Sequence, residues 1–189
     1  MNTPAHMIFG AAAFGRPGQP RVTAAAILGS FLPDLSLFLM VGFSIYIQGI
    51  DRGTVFGQLY YSDLWQRIFA VDNSFLVWSG IFAIGYFAKR PIVTAFAAAG
   101  LLHLTFDFML HNQDARMQFW PLSDWIFRSP FSYWDPNYYG GVIGPAEIIL
   151  SVLLCGLMLW RFKSWRMRAV ILLMGAAEIL TSHIWHTLF

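Results

Sequence analysis

Apolar positions run along this chain in long blocks. Five blocks come close to the ~20 mostly apolar residues that a membrane-crossing helix needs: residues 22–47, 74–88, 92–110, 141–160 and 169–188. The second is short and is expected to begin outside the hydrocarbon layer. Residues 4–14 are apolar but too few to cross. They predict a half-helix that dips inward, tolerated at membrane depth when it packs against protein. No internal repeat or low-complexity stretch interrupts the pattern. The expected fold is all-α: one domain over residues 1–189, a helical bundle of about five transmembrane helices plus the half-helix and an outer loop layer.

Composition agrees with that pattern. Hydrophobic residues make up 57% of the chain and charged residues 12%, against about 25% charged in soluble domains. The 18 Phe, 8 Trp and 7 Tyr suit contact with lipid headgroups, where Trp and Tyr collect. A net charge of +2 is too small to indicate nucleic acid. The single cysteine, Cys155, excludes a disulfide framework and a CxxC metal site; it reads as a small buried residue. The start, MNTPAHMIFG, has no basic stretch ahead of its apolar residues, so no cleavable signal is expected.

Charge sets an orientation. Arg16, Arg21, Lys89, Arg90, Arg161, Lys163, Arg166 and Arg168 fall on one side, eight of the 12 basic residues. The other side holds Arg52, Arg67, Arg116 and Arg128 with six acids, Asp51, Asp63, Asp72, Asp114, Asp124 and Asp135. The excess of Lys and Arg makes the first set cytoplasmic. Loops 48–73 and 111–140 are then expected to face outward, which in a bacterial inner membrane is the periplasm.

Four acids remain inside the apolar blocks: Asp34, Asp107, Glu147 and Glu178. Each costs roughly 2.5–3.5 kcal/mol on insertion scales. Counting a helical rise of about 1.5 Å per residue from the basic ends places them, with His6, His103 and His183, in one layer roughly 15–26 Å deep. The His6 count assumes that GRPGQP turns the chain at the cytoplasmic surface. In LLHLTFDFMLH, residues 101–111, His103, Asp107 and His111 recur every fourth residue and share one helical face. An imidazole and a carboxylate one turn apart can grip a metal ion or bond each other; the second case is a structural polar pair between helices. Asp34 follows Pro33, which breaks the local ladder and frees a carbonyl. Histidines with carboxylates and no thiolate suit Zn²⁺, Mn²⁺ or Fe²⁺. Glu147 and Glu178 read as structural acids before ligands, and His183 and His186 as interfacial.

His6 in NTPAHMIFG, Pro33-Asp34 in LGSFLPDLS and His103-x-x-x-Asp107 in GLLHLTFDF follow one another in that order. This resembles the YdjM-like membrane-bound metal-dependent hydrolases, which carry an N-terminal His, a Pro-Asp-x-Asp element, a His-Arg…Thr-His-Ser element and a later His-x-x-x-Asp. The stretch LHNQDARMQFWPLSDWIFRSPFSYWDPNYYG, with VDNSF at 71–75, is similar to a bacterial subgroup with one five- or six-helix domain. Two elements depart from the pattern. Ser36 replaces the second acid of Pro-Asp-x-Asp, and Asp72-Asn73-Ser74 stands roughly where Thr-His-Ser is expected. The resemblance implies metal ligands at His6, Asp34, His103 and Asp107, with Asp72 and His111 as further candidates. Four ligands suffice for one metal and are few for two.

Residues 119–139 hold nine aromatics and three prolines. Proline disfavours one long helix there, so a folded lid in the outer interface is expected. Trp120, Trp125 and Trp134 would anchor it, either as a gate over the acid and histidine layer or as an anchor alone. Asp114, Asp124 and Asp135 read as solvated or capping acids.

Two functions remain open. The first is a metal-dependent hydrolase of a lipid or lipid-linked ester reached from the periplasmic side. There Asp72, Glu147 or His111 would be the general base or acid. The second is a non-catalytic subunit of a larger membrane complex, photosynthetic or respiratory, whose buried acids and histidines pack the bundle. An ion pathway is a third, weaker reading, since the cytoplasmic half offers few polar residues.

Overall fold

A computed structural model describes residues 1–188, with side chains described to Thr181. The fold is helical, with no strand among the described residues. Four helical stretches are long and apolar enough to cross a membrane: Pro20–Ile47, Asp63–Phe87, Pro91–Leu110 and Gly140–Arg161. The expected fifth span forms as a helix, Trp165–Leu188. Its last turns, with His183 and His186, carry side chains outside the described residues, so the structure counts four spans where five were expected.

The N-terminal helix α1, Thr3–Phe14, has proline in its first turn, where the missing N–H costs nothing. It packs against α2 (Pro20–Gly42), α6 (Pro91–Leu110), α7 (Gly140–Arg161) and α8 (Trp165–Leu188). The half-helix is therefore the hub of the bundle. Its buried side is made of Ala5, His6, Ile8, Gly10 and Ala11, mostly small residues that admit close neighbours. A Cβ on Gly29 of α2 would lie 2.0 Å from the Phe96 carbonyl of α6, so α2 and α6 touch backbone to backbone. That contact carries Asp34 and His103 toward each other. Cys155 is buried as expected, among Ile8, Met158, Ile171 and Met174.

Residues 48–73 differ from the expected loop. A single turn, α3 (Arg52–Thr54), runs into a wider π turn at Val55–Leu59 and is followed by α4, Asp63–Asp72. The physical reason is amphipathicity: Trp65, Phe69 and Ala70 are the buried residues of α4, and Trp65 and Phe69 pack with Leu37 and Val41 of α2. Asn73 then caps α4, and α5, Phe75–Phe87, starts under a Ser74 side-chain cap. The second span accordingly begins at Asp63, eleven residues before the expected 74. Residues 111–139 form no long helix; they hold a short 3₁₀ turn at Pro136–Tyr138 and one bridge, Phe119 to Ser123.

Candidate metal centre

His103 sits in the last turns of α6, one turn before Asp107. Its Nδ1 lies 2.7 Å from the Ser30 carbonyl of α2. A carbonyl only accepts, so Nδ1 donates its hydrogen there. The other nitrogen, Nε2, lies 3.0 Å from Asp107 Oδ2 and 3.8 Å from Asp34 Oδ1. A neutral His103 thus turns a lone pair toward two carboxylates, which is repulsive unless a cation or a proton lies between them.

His6 of α1 completes the group. Its Nε2 lies 2.9 Å from Asp107 Oδ1, and its ring stacks on His103 at 3.6 Å between centroids with 14° between planes. His6 Nδ1 is buried with no hydrogen-bond partner. The ligand atoms of His6, His103 and Asp107 all lie within 4.8 Å of one another. Ligands of a tetrahedral ion with bonds near 2.1 Å sit about 3.4 Å apart. The group can hold a metal ion.

Asp34 stands at the rim. Its Oδ2 accepts from Thr3 Oγ1 at 2.6 Å, and its Oδ1 lies 3.6 Å from Arg116 Nη1. Arg116 is 7% exposed, lies over the Phe69 ring at 4.6 Å and donates to Asn73 Oδ1 at 3.3 Å. Asn73 also donates to the Pro33 carbonyl at 3.4 Å. Neither Arg116 nor Asn73 was expected here. Asp72, the expected candidate, makes no hydrogen bond or ion pair with the histidine cluster among the described residues. One residue separates them: Asn73 is the cap of α4 and turns inward. Asp72 remains on the last helical turn, with its carbonyl accepting from Trp78 Nε1 at 2.7 Å.

His111 ends α6 and joins the group. Its Nε2 lies 3.0 Å from Asp107 Oδ1 and its Nδ1 2.8 Å from Asp114 Oδ2. Burial opposes its charge, but the carboxylates of Asp107 and Asp114 outweigh burial and raise its pKa to about 9. Burial likewise pushes Asp114 up. The charge and hydrogen bond of His111, with a hydrogen bond from Trp134 Nε1, overcome that and bring it to about 2. Asp114 is therefore a paired, half-buried acid and not a solvated one. Asp135 caps as expected, accepting from the Asn137 N–H at 2.9 Å, and Asp124 is exposed. The Met1 amino nitrogen lies 3.3 Å from Asp107 Oδ1.

Glu147 and Glu178 reach the same layer from α7 and α8, but they meet at Asn2 instead of at the histidines. Glu147 Oε1 accepts the Asn2 N–H at 2.7 Å, and Glu178 Oε1 lies 3.4 Å from Asn2 Nδ2. They sit at the N-terminal end of α1, where a helix dipole favours carboxylates.

Beside the cluster is a cavity of about 10 Å³, bordered by Asn73, Asp107, His111, Arg116, Gln118 and Phe127. That is room for about one water. The segment after α6 closes over it. The Ser129 and Tyr133 N–H groups donate to the His111 and Leu110 carbonyls at 3.0 and 3.2 Å, and Asn112 Nδ2 donates to the Ser129 carbonyl at 2.6 Å. Trp125 and Trp134 are more than half exposed on its outside, and Trp120 is less so. Comparison with known protein families, with curated proteins and with solved structures gives no match.

Proposed function

We propose that this protein is a metal-dependent hydrolase embedded in a bacterial inner membrane, with its basic end in the cytoplasm, and that it cleaves a lipid or lipid-linked ester from the periplasmic side. The observation that carries the reading is the His103 tautomer. Its Nδ1–H is committed to the Ser30 carbonyl, so Nε2 faces Asp107 as a ligand atom, the arrangement in which metal-binding histidines are usually held. His6, His103 and Asp107 form the metal set, with Asp34 next to them. Two nitrogens and carboxylate oxygens with no sulfur suit Zn²⁺, Mn²⁺ or Fe²⁺.

A divalent ion bound there supplies Lewis acidity. The chain's own groups divide the remaining work. His111, charged between Asp107 and Asp114, holds a proton at Nε2 beside the cavity and is the general acid. Arg116 presents a buried cation at the same cavity, suited to an anionic ester oxygen. Glu147 is held by Asn2 and serves the N-terminal end of α1, so the general acid or base role falls to His111 and not to Glu147 or Asp72. A cavity with room for one water means that the segment over it opens to admit substrate.

The test is metal content by elemental analysis of the untagged protein in detergent, beside Asp107→Ala and His103→Ala. About one equivalent of a transition metal in the wild type, lost in both variants, is the expected result. Metal-free wild-type protein purified without chelator overturns the reading.

One observation favours a second reading. The α7 span is only 22% buried, against 33–39% for the other three, and Ile149, Leu153, Leu157 and Trp160 are exposed on it. A non-catalytic subunit of a larger membrane complex would cover that flank with a partner in place of lipid. Copurification at fixed stoichiometry with larger partners supports it.

A further inference from the structure

We propose that the basic end of the bundle carries a binding site for one anionic phospholipid, in a cleft between the C-terminal end of α1, the α5–α6 turn and the end of α7. The cleft encloses about 560 Å³, within the range of about 300–1,000 Å³ typical of small-ligand sites. Arg16, Lys89 and Arg161 border it, and no acid does.

The absence of counter-charge extends beyond the cleft. There is no Asp or Glu in residues 1–33, 73–106 or 148–177, the stretches that build this end. Among the described residues neither Arg16 nor Lys89 forms an ion pair with an acid. Arg161 is fixed differently: its Nη1 donates to the Ala12 carbonyl at 2.7 Å and its Nη2 to the Gly15 carbonyl at 3.3 Å. It thereby covers the negative end of the α1 dipole, which would otherwise repel an anion. From the opposite wall, α6 starts at Pro91 with no side chain capping its first turn. The positive end of its dipole lies beside the cleft, where Pro91 and Thr94 form part of the wall. Lys89 holds φ at +52°, a left-handed conformation uncommon for a residue with a Cβ.

The floor of the cleft is apolar. Phe82 and Tyr86 stack at 6.0 Å with 17° between planes, and Ala95 and Ala98 of α6 leave a shallow trough beside them. Three cations at the ends of apolar helices, above an apolar trough, match a phosphate head with its first acyl carbons below. A free anion would use the cations and leave the trough empty. The site lies at the opposite end of α6 from Asp107, about 24 Å away by helical rise, and stands or falls independently of the metal reading.

The full-length protein in detergent is mixed with phosphatidylglycerol or phosphatidylcholine, and retained lipid is counted by native mass spectrometry. The wild type is expected to keep phosphatidylglycerol about tenfold better, since juxtamembrane cations each add appreciably to anionic-lipid binding. Arg16→Gln with Lys89→Gln removes the preference, and Lys163→Gln with Arg166→Gln, at the same end but outside the cleft, keeps it. Ala98→Phe fills the trough with every charge in place and also loses the lipid, which decides the matter if the double variant does not fold. Equal retention of the two lipids by the wild type overturns the site. So does equal loss in the Lys163 and Arg166 variant, retention by Ala98→Phe, or displacement of phosphatidylglycerol by excess inorganic phosphate.

Discussion

The two ends of this bundle handle charge in opposite ways. At one end, Asp34, Asp107 and Asp114 interlock with His6, His103, His111 and Arg116 at 2.8–3.8 Å, all of them buried or half-buried. At the other end, Arg16 and Lys89 stand exposed, and among the described residues no acid pairs with either. The same helices, α1 and α6, connect both. Buried charge is tolerated only where every group has a partner, so the polar end is a single mutually dependent unit. Exposed charge costs little by itself, so the basic end is free to be occupied from outside. A substitution should therefore be severe at the first end and mild at the second.

Asp107→Ala is the largest expected break. Asp107 meets His6, His103 and His111 at once, and its loss removes the carboxylate that three buried imidazoles share. Removing one partner of a buried pair costs about 3–5 kcal/mol, read as a large fall in the unfolding midpoint in detergent. A loss under about 1 kcal/mol would mean that the polar end is not one unit.

The His111–Asp114 pair comes next and adds a pH dependence, measured on metal-free protein. The His111 pKa is raised from 6.5 to about 9, so its contribution is complete below about 6.5 and fades as pH rises through about 9. The Asp114 pKa is lowered from 3.8 to about 2, so its contribution holds above about 4 and is lost as pH falls toward 2. Stability should form a plateau between about pH 4 and 6.5, with a decline on the alkaline side. Asp114→Asn removes a charge-assisted bond, costs about 2 kcal/mol on that plateau, and shifts the alkaline decline to lower pH. An unchanged alkaline limb would separate Asp114 from the unit.

Which parts of this were legible beforehand follows from where each signal resides. His103, Asp107 and His111 were readable because a fourfold spacing on a helix fixes a shared face without knowledge of the rest of the fold. Asp34 was readable through its proline. His6 drew on an apparent family order, since a lone histidine on a short helix has no periodic partner. The Ser30 carbonyl, which sets the His103 tautomer, has no trace in side-chain identity. Arg116 and Asn73 reach the site through chain turns, whose direction no helical spacing announces. The bundle was legible from its apolar blocks. α4 was missed because Asp63, Arg67 and Asp72 masked the stripe of Trp65, Phe69 and Ala70.

Arg161→Gln tests the basic end where it most resembles the polar one. Arg161 is half-buried and its two bonds satisfy carbonyls at the end of α1. A charged donor is worth about 1.5–3 kcal/mol when buried, and water can replace it in part here, so a loss of about 1 kcal/mol is expected. The smallest effect belongs to Arg16→Gln with Lys89→Gln. Both residues are exposed and no acid pairs with either, so their removal should move the unfolding free energy by less than about 0.5 kcal/mol in uncharged detergent. The same pair of changes in the presence of phosphatidylglycerol should cost more, because a ligand that binds only the folded state stabilises it in proportion to the logarithm of its occupancy. Mild in neutral detergent and larger with anionic lipid is the pattern of a charged end shaped for an external partner. An effect that is large in both media would place Arg16 and Lys89 in an internal network like that of Asp107 and erase the contrast between the two ends.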